Sequence, residues 1–244
     1  MSASHPSLVN PPIAFAHRGA SGDLPQNTLE AFRLALQLGA TGLESDVWIT
    51  ADRVPVLDHD GFVRIRLRRR AIAEVPLGEL PAHILTLERL YGECGSSFEL
   101  SLDVKDPAAA EPVVSVARRF GEAPGRLWLC HPDWRQVAQW RALGEDLRLV
   151  DSTRLRRIKE GPERRAAALA DAGVDAVNLH YTDWSGGLTT LFHRFGRYCL
   201  SWDCQHERVL DSILASGIDA VYSDHVEAMM AAVARRSITG GRWT

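Results

Sequence analysis

Residues 42–60, GLESDVWITADRVPVLDHD, hold the densest chemistry in the chain. Glu44 and Asp46 stand two apart in a run with strand character (Leu43, Val47, Trp48, Ile49). Side chains two apart on a strand share a face, so both carboxylates converge on one spot. Two anions that close are costly unless a cation joins them or one takes a proton. A hard divalent ion, Mg²⁺ or Ca²⁺, is the economical partner for oxygen ligands. Past a turn at 51–53, a second apolar run (Val54, Val56, Leu57) delivers Asp58, His59 and Asp60. A histidine at that place is a candidate for proton transfer.

Two further segments contribute. In 98–105, FELSLDVK, strand alternation turns Leu100, Leu102 and Val104 one way and Ser101, Asp103 and Lys105 the other. Asp103 is thereby a third metal-ligand candidate, and Lys105 a point cation suited to a phosphate oxygen. The short apolar run Ile13–Ala16 ends at His17 and Arg18. Two imidazoles beside a metal and fixed cations suit in-line displacement at phosphorus. One takes the proton of the attacking hydroxyl, the other protonates the leaving alkoxide, and Arg18 and Lys105 offset the transition-state charge.

These residues must be positioned by elements that alternate in type. Strand-like runs at 98–104, 127–130, 147–150, 174–178, 198–202 and 218–222 join the two runs before residue 50. Helix-like runs lie between them, near 29–38, 86–94, 108–120, 133–143, 162–172, 186–195, 206–215 and 225–235. Eight such units in 244 residues predict a single (β/α)₈ TIM-type barrel. An open doubly wound sheet is the alternative. No glycine-rich dinucleotide turn follows the first run, however, and no Walker-type loop is present. A barrel keeps its chemistry at the C-terminal ends of its strands. Polar residues crowd those ends: His17, Glu44, Asp46, Asp103, His131, Asp151, Asn178, His180, Trp202 and Asp224. Residues 61–85 read as less regular, with a solvated arginine ribbon at Arg64, Arg66, Arg68, Arg69 and Arg70. The domain reading is a flexible arm over 1–12, the barrel over 13–236 and a tail over 237–244.

A net charge of −3 offers no general attraction to nucleic acid, and no stable membrane association is expected. Neither a secretory leader nor an apolar run of about 20 residues is visible, so a cytoplasmic protein is expected. The four cysteines form no CxxC pair, which points to reduced thiols. The oligomeric state is left open.

The stretch AFAHRGASGDLPQNTLEAFRLALQLGATGLESDVWITADRVPVLDHD, residues 14–60, resembles the glycerophosphodiester phosphodiesterase family. It follows that family's order of HRG, PENT, helix, E-x-D-V and H-D. Leu102–Pro107, Leu200–Trp202 and Val221–Asp224 are similar to its third and last two strands. The resemblance implies a (β/α)₈ barrel that hydrolyses glycerophosphodiesters, small-molecule phosphodiester substrates, to glycerol 3-phosphate and an alcohol. It implies His17 and His59 as acid and base, Glu44 and Asp46 as metal ligands, Arg18 and Lys105 on phosphate, and Trp202 in the pocket. The sequence departs from the pattern at Gln26 (usually glutamate), at Asp103 (usually glutamate) and at Trp202-Asp203-Cys204-Gln205. Residues 61–85 are also shorter than the family's insertion, which implies an open entrance. Alternatives are a sphingomyelinase D-type phospholipase barrel and a barrel that binds phosphorylated ligands without turnover.

Overall fold

The structure is a computed structural model that describes residues 6–240. Strand β1 (Ile13–His17), helix α1 (Leu29–Gln37) and strand β2 (Gly42–Ile49) open the chain. After them come β3 (Pro55–Leu57), a hairpin of β4 (Phe62–Ile65) and β5 (Arg68–Ala71), then β6 (Leu85–Thr86) and α2 (Leu87–Cys94). Strand and helix then alternate: β7 (Glu99–Val104), α3 (Ala110–Ala117), β8 (Leu127–His131), α4 (Trp134–Gln139), β9 (Arg148–Ser152) and α5 (Pro162–Asp171). The series ends with β10 (Ala176–His180), α6 (Gly186–Arg194), β11 (Tyr198–Trp202), α7 (Glu207–Ala215), β12 (Ala220–Ser223) and α8 (Val226–Gly240).

Strands β1, β2, β7, β8, β9, β10, β11 and β12 pair in that order, all parallel, and β12 returns to β1. This is a closed (β/α)₈ barrel. Strand alternation sorts its two layers. Ala14, Ala16, Leu43, Leu100, Leu102, Leu129, Leu149, Val177 and Cys199 pack outward among the helices. Ile13, Phe15, Trp128, Cys130, Val150, Ala176, Leu200, Ala220 and Tyr222 fill the barrel interior. Continuing the inward parity of each strand by one step reaches His17, Asp46, Asp103, Ser152, Asn178, Trp202 and Asp224, so the interior changes from apolar to polar toward one mouth.

Local sequence explains the element on which the loop after β1 rests. Thr28 caps α1, its hydroxyl accepting from Ala31 N, and Leu29, Phe32 and Ala35 form the buried stripe. Burying Phe32 contributes about 1.5–3 kcal/mol. Gly19 must be glycine on two counts: its φ is +82°, and a Cβ there would stand 2.7 Å from the Ala31 carbonyl carbon. Its absence of a side chain lets the loop after β1 lie flat on α1.

At the opposite, N-terminal mouth the buried Asp219 carboxylate gathers the chain. Oδ1 accepts from Ser7 Oγ at 2.8 Å, Leu8 N at 2.6 Å and Val9 N at 3.2 Å. Oδ2 accepts from Cys199 N at 2.7 Å and lies 2.7 Å from His193 Nε2. The described part of the N-terminal arm is thus tied to the barrel floor; residues 1–5 of the arm lie outside the described residues. Helix α8 continues to Gly240, past the expected start of the tail, and the last four tail residues lie outside the described residues. The segment 61–85 is more regular than its sequence suggested. It forms the β4–β5 hairpin over a small core of Val56, Val63, Ile72, Val75 and Ile84. Among the described residues, no helix is long and apolar enough to cross a membrane.

Candidate active site

Register assembles the site. In the parallel ladder His17 is the partner of Glu44, and Asp46 the partner of Asp103, so three strand ends place four side chains side by side. Carboxylate oxygens of Glu44, Asp46 and Asp103 all lie within 4.8 Å of one another. Glu44 and Asp46 are buried, and Asp46 Oδ2 has no hydrogen-bond partner. Burial first, and then the neighbouring Asp46 and Asp103 charges, push the Glu44 carboxyl up to about 8 despite the opposing pull of His17. Asp103 is raised for the same leading reason. A hard, oxygen-preferring divalent cation fits such an all-carboxylate set: it would relieve the mutual repulsion and give Asp46 Oδ2, which accepts no hydrogen bond, a ligand role.

Cations already border the cluster. Lys105 Nζ lies 2.7 Å from Asp46 Oδ1 and 3.2 Å from Asp103 Oδ2. Burial works against its charge, but Asp103 and Asp46 outweigh burial and raise its pKa above the ordinary lysine value. Arg18 takes a left-handed backbone (φ 56°), which turns its N–H onto the Glu44 carboxylate at 3.0 Å. Its Nε stands 3.3 Å from Asp46 Oδ2, while Nη1 donates to Gln26 Oε1 at 2.8 Å. Gln26 therefore orients Arg18. The adjacent Asn27, also left-handed, accepts from the buried Ser45 hydroxyl at 2.7 Å and locks this loop to β2.

His17 Nδ1 is 2.6 Å from Asp224 Oδ1, and its Nε2 is 3.8 Å from Glu44 Oε2. Asp224, in turn held by the Ser21 hydroxyl at 3.0 Å, fixes the ring so that Nε2 faces the carboxylates. Burial lowers the His17 pKa, yet Glu44 and Asp224 together raise it above the usual imidazole value.

These groups open into a cavity of about 550 Å³. His17, Arg18, Glu44, Asp46, Asp103, Lys105 and Trp202 all line it, which brings together seven of the eight residues singled out in the sequence. Trp202 is wedged edge-on against His180, with ring centroids 4.5 Å apart, and Arg154 lies over its ring at 5.6 Å. The eighth residue, His59, follows β3 outside the cavity lining, half exposed, with Nδ1 on its own neighbour Asp60 at 2.7 Å. Asp151 points outward instead, into a buried pair with Arg165 at 2.6 Å, so it belongs to the scaffold.

Sequence reasoning missed Asp224 as the partner of His17, and Gln205, whose Oε1 accepts from Asp224 N at 2.9 Å. It also missed the cavity lining from the loop after β9: Thr153, Arg154, Arg156 and Arg157. The arginines at 64–70 lie on the exposed hairpin and do not line the cavity. The available signal was position: 152–157 follows a strand end directly, whereas 64–70 does not.

Fold and site together define a barrel with a carboxylate-and-cation centre at the C-terminal ends of its strands. Residues 17–91 match the model of the glycerophosphoryl diester phosphodiesterase family. A glycerophosphodiester phosphodiesterase 1 of Rattus norvegicus is 58% identical over 50 residues, covering 20% of this chain and 15% of that protein. The chain thus matches only about 15% of the length of this mammalian relative. Two solved structures share the barrel. One, from Silicibacter pomeroyi and provisionally named a glycerophosphoryl diester phosphodiesterase, has a TM-score of 0.82 at 23% identity over 96% of each chain. The other, an Oleispira antarctica phosphodiesterase in complex with the product sn-glycerol-3-phosphate, has a TM-score of 0.79 at 22% identity, covering 91% of this chain and 97% of that one. Residues 17–91 are thus similar to the glycerophosphoryl diester phosphodiesterase family, and the whole chain shares the barrel fold of these two structures.

Proposed function

We propose that this protein hydrolyses glycerophosphodiesters to glycerol 3-phosphate and an alcohol, using one bound divalent cation, Mg²⁺ or Ca²⁺. The observation that carries the reading is the single cavity in which Glu44, Asp46 and Asp103 meet Arg18, Lys105 and His17. Glu44, Asp46 and Asp103 would hold the cation. When bound, the cation supplies a Lewis acid for a phosphoryl oxygen.

The chain's own residues do the rest. Arg18 and Lys105, fixed by Gln26, Asp46 and Asp103, meet nonbridging oxygens and stabilise the extra charge of the transition state. His17, steered by Asp224, presents Nε2 toward the reacting phosphorus and handles one proton. His59 handles the other, exchanging its bond to Asp60 for the substrate as the substrate fills the mouth. Trp202 offers an apolar wall to the carbon skeleton. A cytoplasmic role in lipid metabolism, in the breakdown of deacylated phospholipid head groups, goes with this reading.

The test is a screen of glycerophosphodiesters with Mg²⁺ and with Ca²⁺, reading glycerol 3-phosphate release. Release that requires the metal and stops with excess chelator is expected. Full activity in chelator, or no release from any member, sinks the proposal.

A further inference from the structure

The cavity has two unlike halves. In the ring of strands, β9 stands opposite β1: three strands separate them by either route, β2, β7 and β8 one way and β10, β11 and β12 the other. The loop after β9 therefore faces the His17–Arg18 end across the mouth. It contributes three arginines to the cavity lining, Arg154, Arg156 and Arg157.

Their states differ. Arg154 is spent on the scaffold: Nε donates to Asp183 Oδ2 at 2.6 Å, Nη2 to Asp183 Oδ1 at 3.3 Å, and the guanidinium lies over Trp202. Arg156 and Arg157 are exposed, and among the described residues neither has a carboxylate within 4 Å. The acidic lining residue on this half, Asp203, is engaged with His180 Nε2 at 3.0 Å. Arg156 and Arg157 thus bring two guanidinium charges without a carboxylate contact to the cavity wall, against the one carboxylate charge of Asp203. A guanidinium is built to grip carboxylate or phosphate in a two-point contact.

We propose that Arg156 and Arg157 form a subsite for an anionic group on the alcohol half of the diester, so that the preferred substrates carry a second negative charge, a carboxylate or a phosphate, beyond the scissile phosphate. This rests on the proposed hydrolysis and names its substrate class. The scissile phosphate sits at the carboxylate-and-cation pole, and the alcohol extends across the mouth, past Trp202, to the arginine rim. A cationic alcohol such as choline meets repulsion there.

Two matched pairs test this. Glycerophosphoglycerol and its glycerate analogue differ by a carboxylate. Glycerophosphoinositol and its 4-phosphate differ by a phosphate. The charged member of at least one pair is expected to have a kcat/KM about tenfold or more above its neutral partner. In R156A/R157A that ratio should fall toward one, and R156E/R157E should invert it. The pair that responds identifies the anion. Ratios near one in the wild type, or ratios untouched in the double variant, overturn the proposal. Release of glycerol 3-phosphate from none of the four would sink the hydrolytic reading itself. Calorimetric binding of glycerophosphoinositol 4-phosphate in chelator then decides the subsite separately. Binding at least several-fold weaker in R156A/R157A sustains it, and equal binding overturns it.

Discussion

His17 and His59 sit in contrasting surroundings: one is clamped by Asp224 beside three carboxylates, the other is half exposed on Asp60. In the proposed reaction each moves a different proton, so a change at one cannot be offset by the other. Replacing either with alanine is expected to lower turnover by roughly 10²–10⁴. A nitrophenyl diester needs no proton on its leaving group. It should restore activity to whichever variant lacks the acid, and to that one alone. Rates for both variants on both substrates check this, and equal rescue of the two would contradict it. Asp224 matters at the same scale through orientation, since its Oδ1 contact decides which ring nitrogen faces the site.

Two elements invite tests of stability. Between β9 and α5, Asp151 is fully buried, with one bond to Arg165 Nη1 and Oδ1 unpaired. Burial, only partly offset by Arg165, pushes its carboxyl up to about 6. A carboxyl with a raised folded-state pKa binds its proton more tightly when folded. Its contribution is therefore greatest below the unfolded value near 3.8 and is lost as pH rises to about 6. The loss amounts to about 3 kcal/mol, at about 1.4 kcal/mol per unit. Urea unfolding at pH 4 and pH 7 should show Asp151→Asn with a pH dependence flatter than wild type by about that amount. An unchanged slope would count against it. In the β4–β5 hairpin, Arg66 and Leu67 both have positive φ (46° and 67°), the backbone of a two-residue type I′ turn. Neither residue favours that region, and Leu67 is 97% exposed. Substituting Asn-Gly at 66–67 should stabilise the protein by about 0.5–1 kcal/mol, read as a higher urea midpoint at unchanged slope. A lower midpoint would show that Leu67 makes a contact of its own.

For the molecule as a whole, the acid cluster at one mouth is a place where the folded chain stores repulsion. A cation bound only by the folded state stabilises by mass action, about 2.7 kcal/mol at one hundred times its Kd. Mg²⁺ or Ca²⁺ is therefore expected to raise the Tm of the wild type by several degrees. Asp103→Ala should respond much less, since it leaves two of the three carboxylates. Thermal scans across a metal titration, with and without chelator, measure both. An equal response in the two proteins would place the cation elsewhere.

Sequence alone determined the barrel and the polar residues at its strand ends, because both follow from local rules. Period-two alternation decides which side chains point inward, and it turned Ser101, Asp103 and Lys105 inward and Leu100, Leu102 and Val104 outward, as the structure has them. The spacing of Glu44 and Asp46 needs no tertiary knowledge either. Tertiary structure alone decided everything that depends on ring closure. Asp224 lies 207 positions from His17 and meets it only because β12 pairs with β1. Asp151 and Asp103 both end predicted strands, yet a one-residue difference in parity buries the first on Arg165 and opens the second to the cavity. Likewise Arg156 and Arg157 match the arginines at 64–70 in residue type and differ from them in sequence only by directly following a strand end. Only the closed barrel puts one group over the cavity and the other on a hairpin outside its lining, because charge is written in the chain but proximity is set by how the strands close.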